Sequence, residues 1–130
     1  GEIDMKMVIG GAYQGKLEYA KKTFQIPDGW VDGASCEPEE ILNCRGVWNF
    51  HLLIRRMLEK ERDTDALIRR LPEENPELCI VTNELGCGVV PVEAFDRLWR
   101  EKTGRICTEL AEKAGEVHRV FCGIGMVIKK

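Results

Sequence analysis

Hydrophobic residues recur along this chain in two patterns, as short unbroken runs and as longer stretches with helical spacing. The short runs, at residues 6–10, 30–34, 78–82 and 116–121, have the length and composition of β-strands. Residues 78–82 are almost entirely apolar, as is typical of a strand covered on both faces in a parallel sheet. A last short strand is predicted at residues 126–128. Because strands alternate with helical segments, the pattern predicts an α/β fold with a mostly parallel sheet.

Four segments between these runs carry apolar residues at helical spacing. In the first, Leu17, Ala20 and Phe24 are expected to face inward, and in the last, Gly104 is expected to break or bend the helix. The third helical segment, residues 63–71, is expected to end at a polar connector that begins at Pro72. The predicted helices span residues 16–24, 46–60, 63–71 and 92–113.

The composition is that of one ordinary globular domain. The chain has 130 residues, of which 44% are hydrophobic and 32% are charged. We therefore expect a single domain over residues 1–130, with Gly1 a cloning remnant in front of the natural sequence. The net charge of −3 gives no reason to expect nucleic acid or an anionic membrane as a partner. No apolar run approaches the roughly 20 residues of a membrane span.

Six cysteines are spread along the chain without a C-x-x-C pair or clustered histidines, so no zinc site is predicted. Cys79 and Cys122 fall in apolar, strand-like runs. We expect the cysteines to be reduced and mostly buried, in a cytoplasmic protein.

The segment from Gly10 to Lys16 matches G-x-x-x-x-G-K, the pattern of a loop that binds nucleotide phosphates. It follows the first predicted strand and opens the first predicted helix, which is the context that such a loop requires. Its glycines let the backbone approach a phosphate, its N–H groups would surround a β-phosphate, and Lys16 would reach the β and γ oxygens. The predicted nucleotide-binding residues are Gly10, Gly11, Ala12, Gly15, Lys16 and Leu17.

Leu17 departs from the pattern, because a serine or threonine is expected after the lysine to offer a hydroxyl to Mg²⁺. Leucine has no oxygen for a hard cation, so the sequence is compatible with phosphate binding but weakens metal-assisted phosphoryl transfer. Tyr13 and Gln14 are also large for this loop, and an aromatic side chain at Tyr13 could occupy the phosphate volume itself.

Two carboxylates follow predicted strands, at the ends where nucleotide-binding α/β proteins present groups to ligands. Asp32 lies in the second run and Glu84 comes just after residues 78–82. We predict that both orient Mg²⁺ or activate an acceptor hydroxyl. The alternatives are that Asp32 only forms a turn and that Glu84 is a surface loop acid. His51, on the second predicted helix, is either catalytic or packed at a helix–sheet or subunit boundary.

Three segments resemble the adenosylcobinamide kinase/adenosylcobinamide-phosphate guanylyltransferase family. Residues 8–16 are similar to its opening strand and phosphate-binding loop, and residues 80–91, Ile-Val-Thr-Asn-Glu-Leu-Gly-Cys-Gly-Val-Val-Pro, to its strand, acidic loop and proline. Residues 104–129 resemble its C-terminal helix and strands. The resemblance implies a P-loop fold of the RecA-like, three-layer kind. It also implies GTP or ATP as phosphoryl donor with Mg²⁺, a corrinoid as acceptor, and a compact homo-oligomer.

The family's guanylylated histidine, followed by an Arg-rich motif with a proline, has no match here. The stretch between Phe24 and Trp30 is only a turn, and His51 is followed by no proline. The sequence therefore indicates that the guanylyltransferase step is lost.

Two hypotheses about function follow. In the first, the chain is a shortened cobinamide-kinase-like enzyme whose catalytic residues are Lys16, Asp32 and Glu84. In the second, it is a degenerate relative that acts as a nucleotide-binding or partner protein. A P-loop protein acting on another small molecule is a third possibility. The apolar helix predicted over residues 47–58 offers hydrophobic surface for a homo-oligomer.

Overall fold

The chain folds into one sheet with helices packed against both faces. The computed structural model describes residues 3–12, 14–85 and 91–130. The strands are β1 (Lys6–Gly10), β2 (Trp30–Asp32), β3 (Gly46–Trp48), β4 (Cys79–Asn83), β5 (Glu116–Phe121) and β6 (Ile124–Lys129). The helices are α1 (Lys16–Thr23), α2 (Phe50–Glu59), α3 (Thr64–Glu74) and α4 (Ala94–Lys113), and a 3₁₀ helix spans Pro38–Leu42.

The sheet has six strands in the order β2-β3-β4-β1-β5-β6. Every neighbouring pair is parallel except β5 and β6, which form an antiparallel hairpin. The first strand of the chain therefore lies in the interior of the sheet, between β4 and β5. This topology confirms the predicted α/β class with a mostly parallel sheet and is consistent with a P-loop fold.

The two faces of the sheet carry separate hydrophobic clusters, because adjacent residues of a strand point to opposite sides. On one face, Val8 of β1 packs with Ala20 of α1. On the other face, Met7 packs in a larger cluster that includes Ile54 of α2 and Ile106 of α4. Helices thus cover the sheet on both sides, as the predicted three-layer arrangement requires.

The predicted helix over residues 46–60 is wrong at its beginning. Its first three residues form β3, and α2 begins only at Phe50. Asn49, between the two elements, has a φ of 55°, a left-handed conformation that separates strand from helix. The glycine that begins β3 leaves room for a neighbouring ring, since a Cβ there would lie 2.5 Å from the Trp30 side chain in β2. Pairing with β2 and β4 therefore overrides the helical periodicity.

Two further features of the helices differ from the prediction, the end of α3 and the expected break in α4. Pro72 lies inside α3, which continues to Glu74 instead of ending before the proline. Helix α4 runs through Gly104 without interruption. A single glycine costs a helix about 1 kcal/mol, which the burial of Ile106 and Leu110 on the same helix offsets.

The described cysteines are all free thiols, and Cys87 lies outside the described residues. Cys36 and Cys79 are buried as expected, whereas Cys122 is exposed at the turn between β5 and β6. Within residues 3–12, 14–85 and 91–130, no helix is long and apolar enough to cross a membrane.

Exposed apolar side chains gather at the β5–β6 hairpin and not on the helix where the sequence suggested them. Phe50 and Met57 of α2 are buried in the core. The exposed apolar residues of the hairpin are Phe121, Ile124, Met126, Val127 and Ile128.

Candidate functional site

A cleft of about 510 Å³ opens at the carboxyl ends of β1 and β4. Gly10 pairs with Asn83 at this end of the two strands. Along the strand order of the sheet, the connection after β1 runs toward the edge at β2. The connection after β4 runs in the opposite direction, across β1 to β5. Open α/β sheets bind ligands at such a reversal of strand order. The cleft therefore lies where the topology favours a ligand site.

The glycine loop between β1 and α1 forms one wall of this cleft. Gly10 lies so close to β5 that a Cβ would be 2.6 Å from the Val120 carbonyl oxygen. Gly15 has a φ of 78°, in the left-handed region that glycine adopts without a steric cost. Ala12 and Gly15 both line the cleft. The loop thus needs glycine at position 10 because β5 lies close to it, and at position 15 because the backbone there has a positive φ.

The loop is anchored to the turn between β5 and β6. Gln14 Oε1 accepts a hydrogen bond from the Cys122 N–H at 2.6 Å, and the Gln14 carbonyl accepts one from the Gly123 N–H at 2.8 Å. The Gln14 side chain is therefore held by the hairpin. Tyr13, which was expected to compete with a phosphate, lies outside the described residues.

Lys16 is the first residue of α1 and is only 8% exposed. Its Nζ donates a hydrogen bond to the Gly11 carbonyl at 2.5 Å and its side chain lines the cleft. Burial lowers the pKa of the Lys16 ammonium, and the negative charge of Glu84 opposes that shift. A partly desolvated cation beside backbone N–H groups attracts an anion strongly. The predicted role of Lys16 in binding phosphate stays a prediction.

Leu17 lines the cleft. The expectation that it belongs to the inward stripe of α1 is wrong, because Ala20 and Phe24 contribute to the cluster below the helix while Leu17 does not. An apolar side chain therefore stands where the loop pattern calls for a hydroxyl.

Asp32 lies at the carboxyl end of β2, with β3 between it and β4. Its Oδ1 accepts hydrogen bonds from the Ala34 N–H at 2.8 Å and from Asn49 Nδ2 at 3.0 Å. This is the geometry of the turn that the sequence offered as an alternative. Asp32 is not one of the described residues that line the cleft, but the Asn49 side chain that it holds is one.

Glu84 follows β4 directly, and its N–H donates to the Gly10 carbonyl at 2.9 Å. Its two carboxylate oxygens accept from Arg119 Nη2 at 2.7 Å and Nε at 3.2 Å. This two-point pair orients the carboxylate beside the loop. The structure thus brings Glu84 close enough to influence the charge of Lys16, while Asp32 belongs to a different strand end.

The residues that the structure describes do not contain three His, Cys, Asp or Glu side chains grouped to hold a metal ion. Asp32 and Glu84 end strands that are separated by β3, and each already has hydrogen-bond partners. Their predicted role as a metal pair stays a prediction.

The opposite wall of the cleft was not predicted from the sequence. It includes Trp48, Asn49, His51 and Thr82, at the ends of β3 and β4 and the start of α2. The signal that could have found this wall is the short apolar run Gly46–Trp48 followed by asparagine, which is a strand with a polar end. Taking that run as helix removed Trp48 and Asn49 from the site, whereas His51 was already a candidate and Thr82 already lay in a predicted strand.

A second cavity of about 260 Å³ adjoins the cleft, between the sheet and α4. Thr82 and Asn83 line both spaces, and Glu84 lines the second. Thr103 also lines it, and among the described residues its buried hydroxyl has no hydrogen-bond partner. Most of the remaining wall is apolar, including Ile9.

The fold and the glycine loop together define the class, which is an α/β protein with the features of a P-loop domain. Within that class, the family model described as cobinamide kinase / cobinamide phosphate guanyltransferase matches residues 31–128. The chain therefore belongs to this family. The matched residues include Asp32, His51 and Glu84, whereas the loop at Gly10–Lys16 precedes them.

Three curated relatives agree with this assignment. Proteins named bifunctional adenosylcobalamin biosynthesis protein CobU, from Escherichia coli and Salmonella typhimurium, are 31% and 32% identical to this chain over 97 residues. Each of these alignments covers 75% of this chain and 48% of the relative. Bifunctional adenosylcobalamin biosynthesis protein CobP from Pseudomonas aeruginosa is 29% identical over 92 residues, which cover 68% of this chain and 52% of that protein. The chain spans about half the length of the curated relatives it matches.

Proposed function

We propose that this chain binds GTP or ATP at Gly10–Lys16 and transfers the terminal phosphoryl group to a side-chain hydroxyl of a corrinoid in cobalamin biosynthesis. The observation that carries the proposal is the buried Lys16 ammonium, held among the backbone groups of a glycine loop. A phosphate in the cleft would take this cation over from the Gly11 carbonyl. Family membership and the names of the relatives support the corrinoid as substrate class.

Glu84 is the residue best suited to act on the acceptor. In the proposed step the acceptor oxygen forms a bond to the γ-phosphorus, the bond from that phosphorus to the β–γ bridging oxygen breaks, and the acceptor proton passes to a carboxylate or to water. Glu84 borders the second cavity, which shares Thr82 and Asn83 with the cleft. A hydroxyl arm entering that cavity would therefore lie beside both the nucleotide and Glu84.

The guanylyl step is proposed to be absent, because neither of the two histidines in the chain offers a nucleophilic nitrogen. His118 is 4% exposed, and its Nδ1 and Nε2 pair with the Tyr19 hydroxyl at 2.6 Å and Glu116 at 3.1 Å. At His51, the Nδ1 lone pair accepts the Asn83 N–H at 3.2 Å. Both rings therefore have their lone pairs engaged.

The described residues fit a protein-held Mg²⁺ poorly, since Leu17 offers no oxygen and both oxygens of Glu84 bind Arg119. Mg²⁺ would therefore be carried by the nucleotide phosphates, where it supplies charge neutralisation.

Transfer of label from γ-labelled GTP or ATP to cobinamide tests the proposal. Lys16→Ala is expected to lower kcat/KM at least about tenfold, because it removes the cation that binds the transferred group. Lys22→Ala, an exposed lysine on the same helix, is the matched control and is expected to behave like the wild type. Equal rates in wild type and Lys16→Ala would refute phosphoryl transfer at this loop.

A second candidate function, nucleotide binding without turnover, is favoured by the apolar Leu17 in the cleft. This function predicts that the chain binds nucleotide with an affinity that depends on Lys16. It also predicts that no labelled cobinamide forms at any metal concentration. The same assay therefore separates the two functions.

Self-association is a further part of the proposal. The edge strand β6 exposes Ile124, Met126 and Ile128 at 75%, 67% and 50%, which is unusual for the free edge of a sheet. A second copy of the chain would remove these side chains from water.

A further inference from the structure

His51 is fixed in the wall of the cleft that faces the glycine loop. It lies in the first turn of α2 and is 5% exposed. Its ring stacks on Trp99 of α4, with centroids 6.3 Å apart and an angle of 21° between the planes. The indole Nε1–H of Trp99 donates to the His51 carbonyl at 2.8 Å. The imidazole therefore has one orientation, set by two helices.

The hydrogen bonding of the ring determines which nitrogen carries the proton. The Asn83 backbone N–H can only donate, and it lies 3.2 Å from His51 Nδ1. Nδ1 must therefore be the acceptor, and a neutral ring carries its proton on Nε2. Burial, assisted by the positive charge of Lys16, lowers the pKa of His51 to about 4. The ring is neutral at physiological pH, with a single N–H donor at Nε2.

No described residue accepts a hydrogen bond from this Nε2–H. The ring lines the cleft together with Lys16, Gly15 and Asn49. A neutral N–H donor that lines the cleft together with a buried lysine is suited to an anionic oxygen. His51 thus presents to the ligand the one donor that its packing leaves available.

We propose that His51 donates its Nε2–H to the terminal phosphate of a bound nucleoside triphosphate and so favours triphosphates over diphosphates. The inference rests on the proposed function, since it requires a nucleotide in this cleft. The glycine loop and the N-terminus of α1 surround the β-phosphate, so the γ-phosphate extends toward the opposite wall. His51 belongs to that wall and not to the loop.

Two substitutions separate this role from a structural one. The amide of His51→Asn can replace Nδ1 and accept the Asn83 N–H, but it cannot reach the place of Nε2. The longer amide of His51→Gln can donate from the place of Nε2. A purely structural histidine predicts that Asn is the better replacement, whereas a phosphate donor predicts that Gln is.

The experiment is calorimetric titration of wild type, His51→Asn and His51→Gln with GppNHp and GDP, and with AppNHp and ADP. His51→Asn is expected to weaken binding of the triphosphate analogue about tenfold and binding of the diphosphate less than about twofold. His51→Gln is expected to stay within about threefold of the wild type for both. The melting temperature of each variant identifies a loss of folding.

Three results would overturn the inference: His51→Asn binding the triphosphate like the wild type, His51→Gln losing as much as His51→Asn, or equal losses for triphosphate and diphosphate. In each of these cases the wild type still binds nucleotide, so the proposed function stands. A wild type that binds neither nucleotide would overturn the proposed function as well.

Discussion

Lys16 and Leu17 are neighbours at the start of α1, and both line the cleft, one with a charged side chain and the other with an apolar one. Lys16 contributes a buried cation whose pKa is lowered by desolvation, so it has much to gain from an anionic ligand. Leu17 contributes an apolar surface where a metal-bound nucleotide would need an oxygen. At the scale of single residues, the site is therefore better equipped to bind phosphate than to hold Mg²⁺.

Replacing Leu17 by serine should increase the Mg²⁺ dependence of nucleotide binding. The new hydroxyl would stand in the cleft next to Lys16 and offer the oxygen that the loop pattern lacks. We expect the affinity for GppNHp with Mg²⁺, relative to that without, to rise about fivefold or more, as measured by calorimetry. Leu17→Ala is the control that removes the bulk without adding an oxygen. Equal effects of serine and alanine would show that only the bulk of Leu17 matters.

His51 should make the free energy of unfolding depend on pH. Its pKa is about 4 in the folded chain and 6.5 ordinarily, so between these values the unfolded state binds more protons. Stability conferred by the neutral ring is complete above pH 6.5 and is lost as the pH falls toward 4. Between about pH 7.5 and about pH 5 we expect the wild type to lose about 2 kcal/mol more than His51→Gln, measured by urea unfolding. Parallel curves for the two proteins would contradict the buried, neutral state of His51.

Helix α1 carries the phosphate loop, and a small number of contacts fix it to the sheet. The Tyr19 hydroxyl bonds His118 Nδ1 at 2.6 Å, and Phe24 meets the same imidazole edge to face at 5.2 Å. The Tyr19 ring also fills the space over Gly125 of β6, where a Cβ would lie 2.0 Å from it. The position of the loop therefore depends on α1 being held against β5 and β6.

Removing the Tyr19 hydroxyl should weaken this attachment. Tyr19→Phe leaves Nδ1 of the buried His118 without its partner, and we expect the free energy of unfolding to fall by about 1–3 kcal/mol. Chemical denaturation measures the change. Lys22→Ala, at an exposed position of the same helix, is expected to remain within about 0.5 kcal/mol of the wild type. A Tyr19→Phe protein as stable as the wild type would show that the hydrogen bond contributes nothing.

The elements also show how far the sequence alone could go. The buried run predicted as a strand at residues 78–82 corresponds to β4 (Cys79–Asn83) within one residue at each end, because its hydrophobicity reflects burial on both faces. The three residues of β3 were taken as helix, since their place in the sheet depends on pairing with β2 and β4, which local periodicity does not contain. That error hid Trp48 and Asn49 in one wall of the cleft, whereas the loop itself was recognisable from glycine spacing. The sequence alone could not show that Asp32 lies away from the cleft, because this depends on the order of the strands in the sheet.

At the scale of the whole molecule, the edge of the sheet formed by β6 exposes apolar side chains. The free strand β6 continues the hairpin whose turn holds Gln14 of the phosphate loop. Association of two copies through this hairpin would therefore act close to the proposed nucleotide site. The residues that anchor the loop, Cys122 and Gly123, lie in the turn between the exposed apolar residues Phe121 and Ile124.

Met126→Lys should reduce self-association. A charge in the middle of β6 opposes burial of the strand against a second copy. We expect the wild type to sediment as an oligomer at micromolar concentration and Met126→Lys to shift toward the monomer in analytical ultracentrifugation. Val92→Lys changes a residue that is 88% exposed outside the hairpin and is expected to sediment like the wild type. A monomeric wild type at all concentrations would rule out the oligomer.

The account depends most directly on whether the Gly10–Lys16 loop binds a nucleotide. Calorimetric titration of the wild type and Lys16→Ala with GppNHp and AppNHp, each with and without Mg²⁺, measures this. We expect micromolar binding by the wild type and a loss of at least about tenfold in Lys16→Ala. Absence of binding at millimolar nucleotide, or equal affinity in the two proteins, would contradict the assignment of this cleft as a nucleotide site.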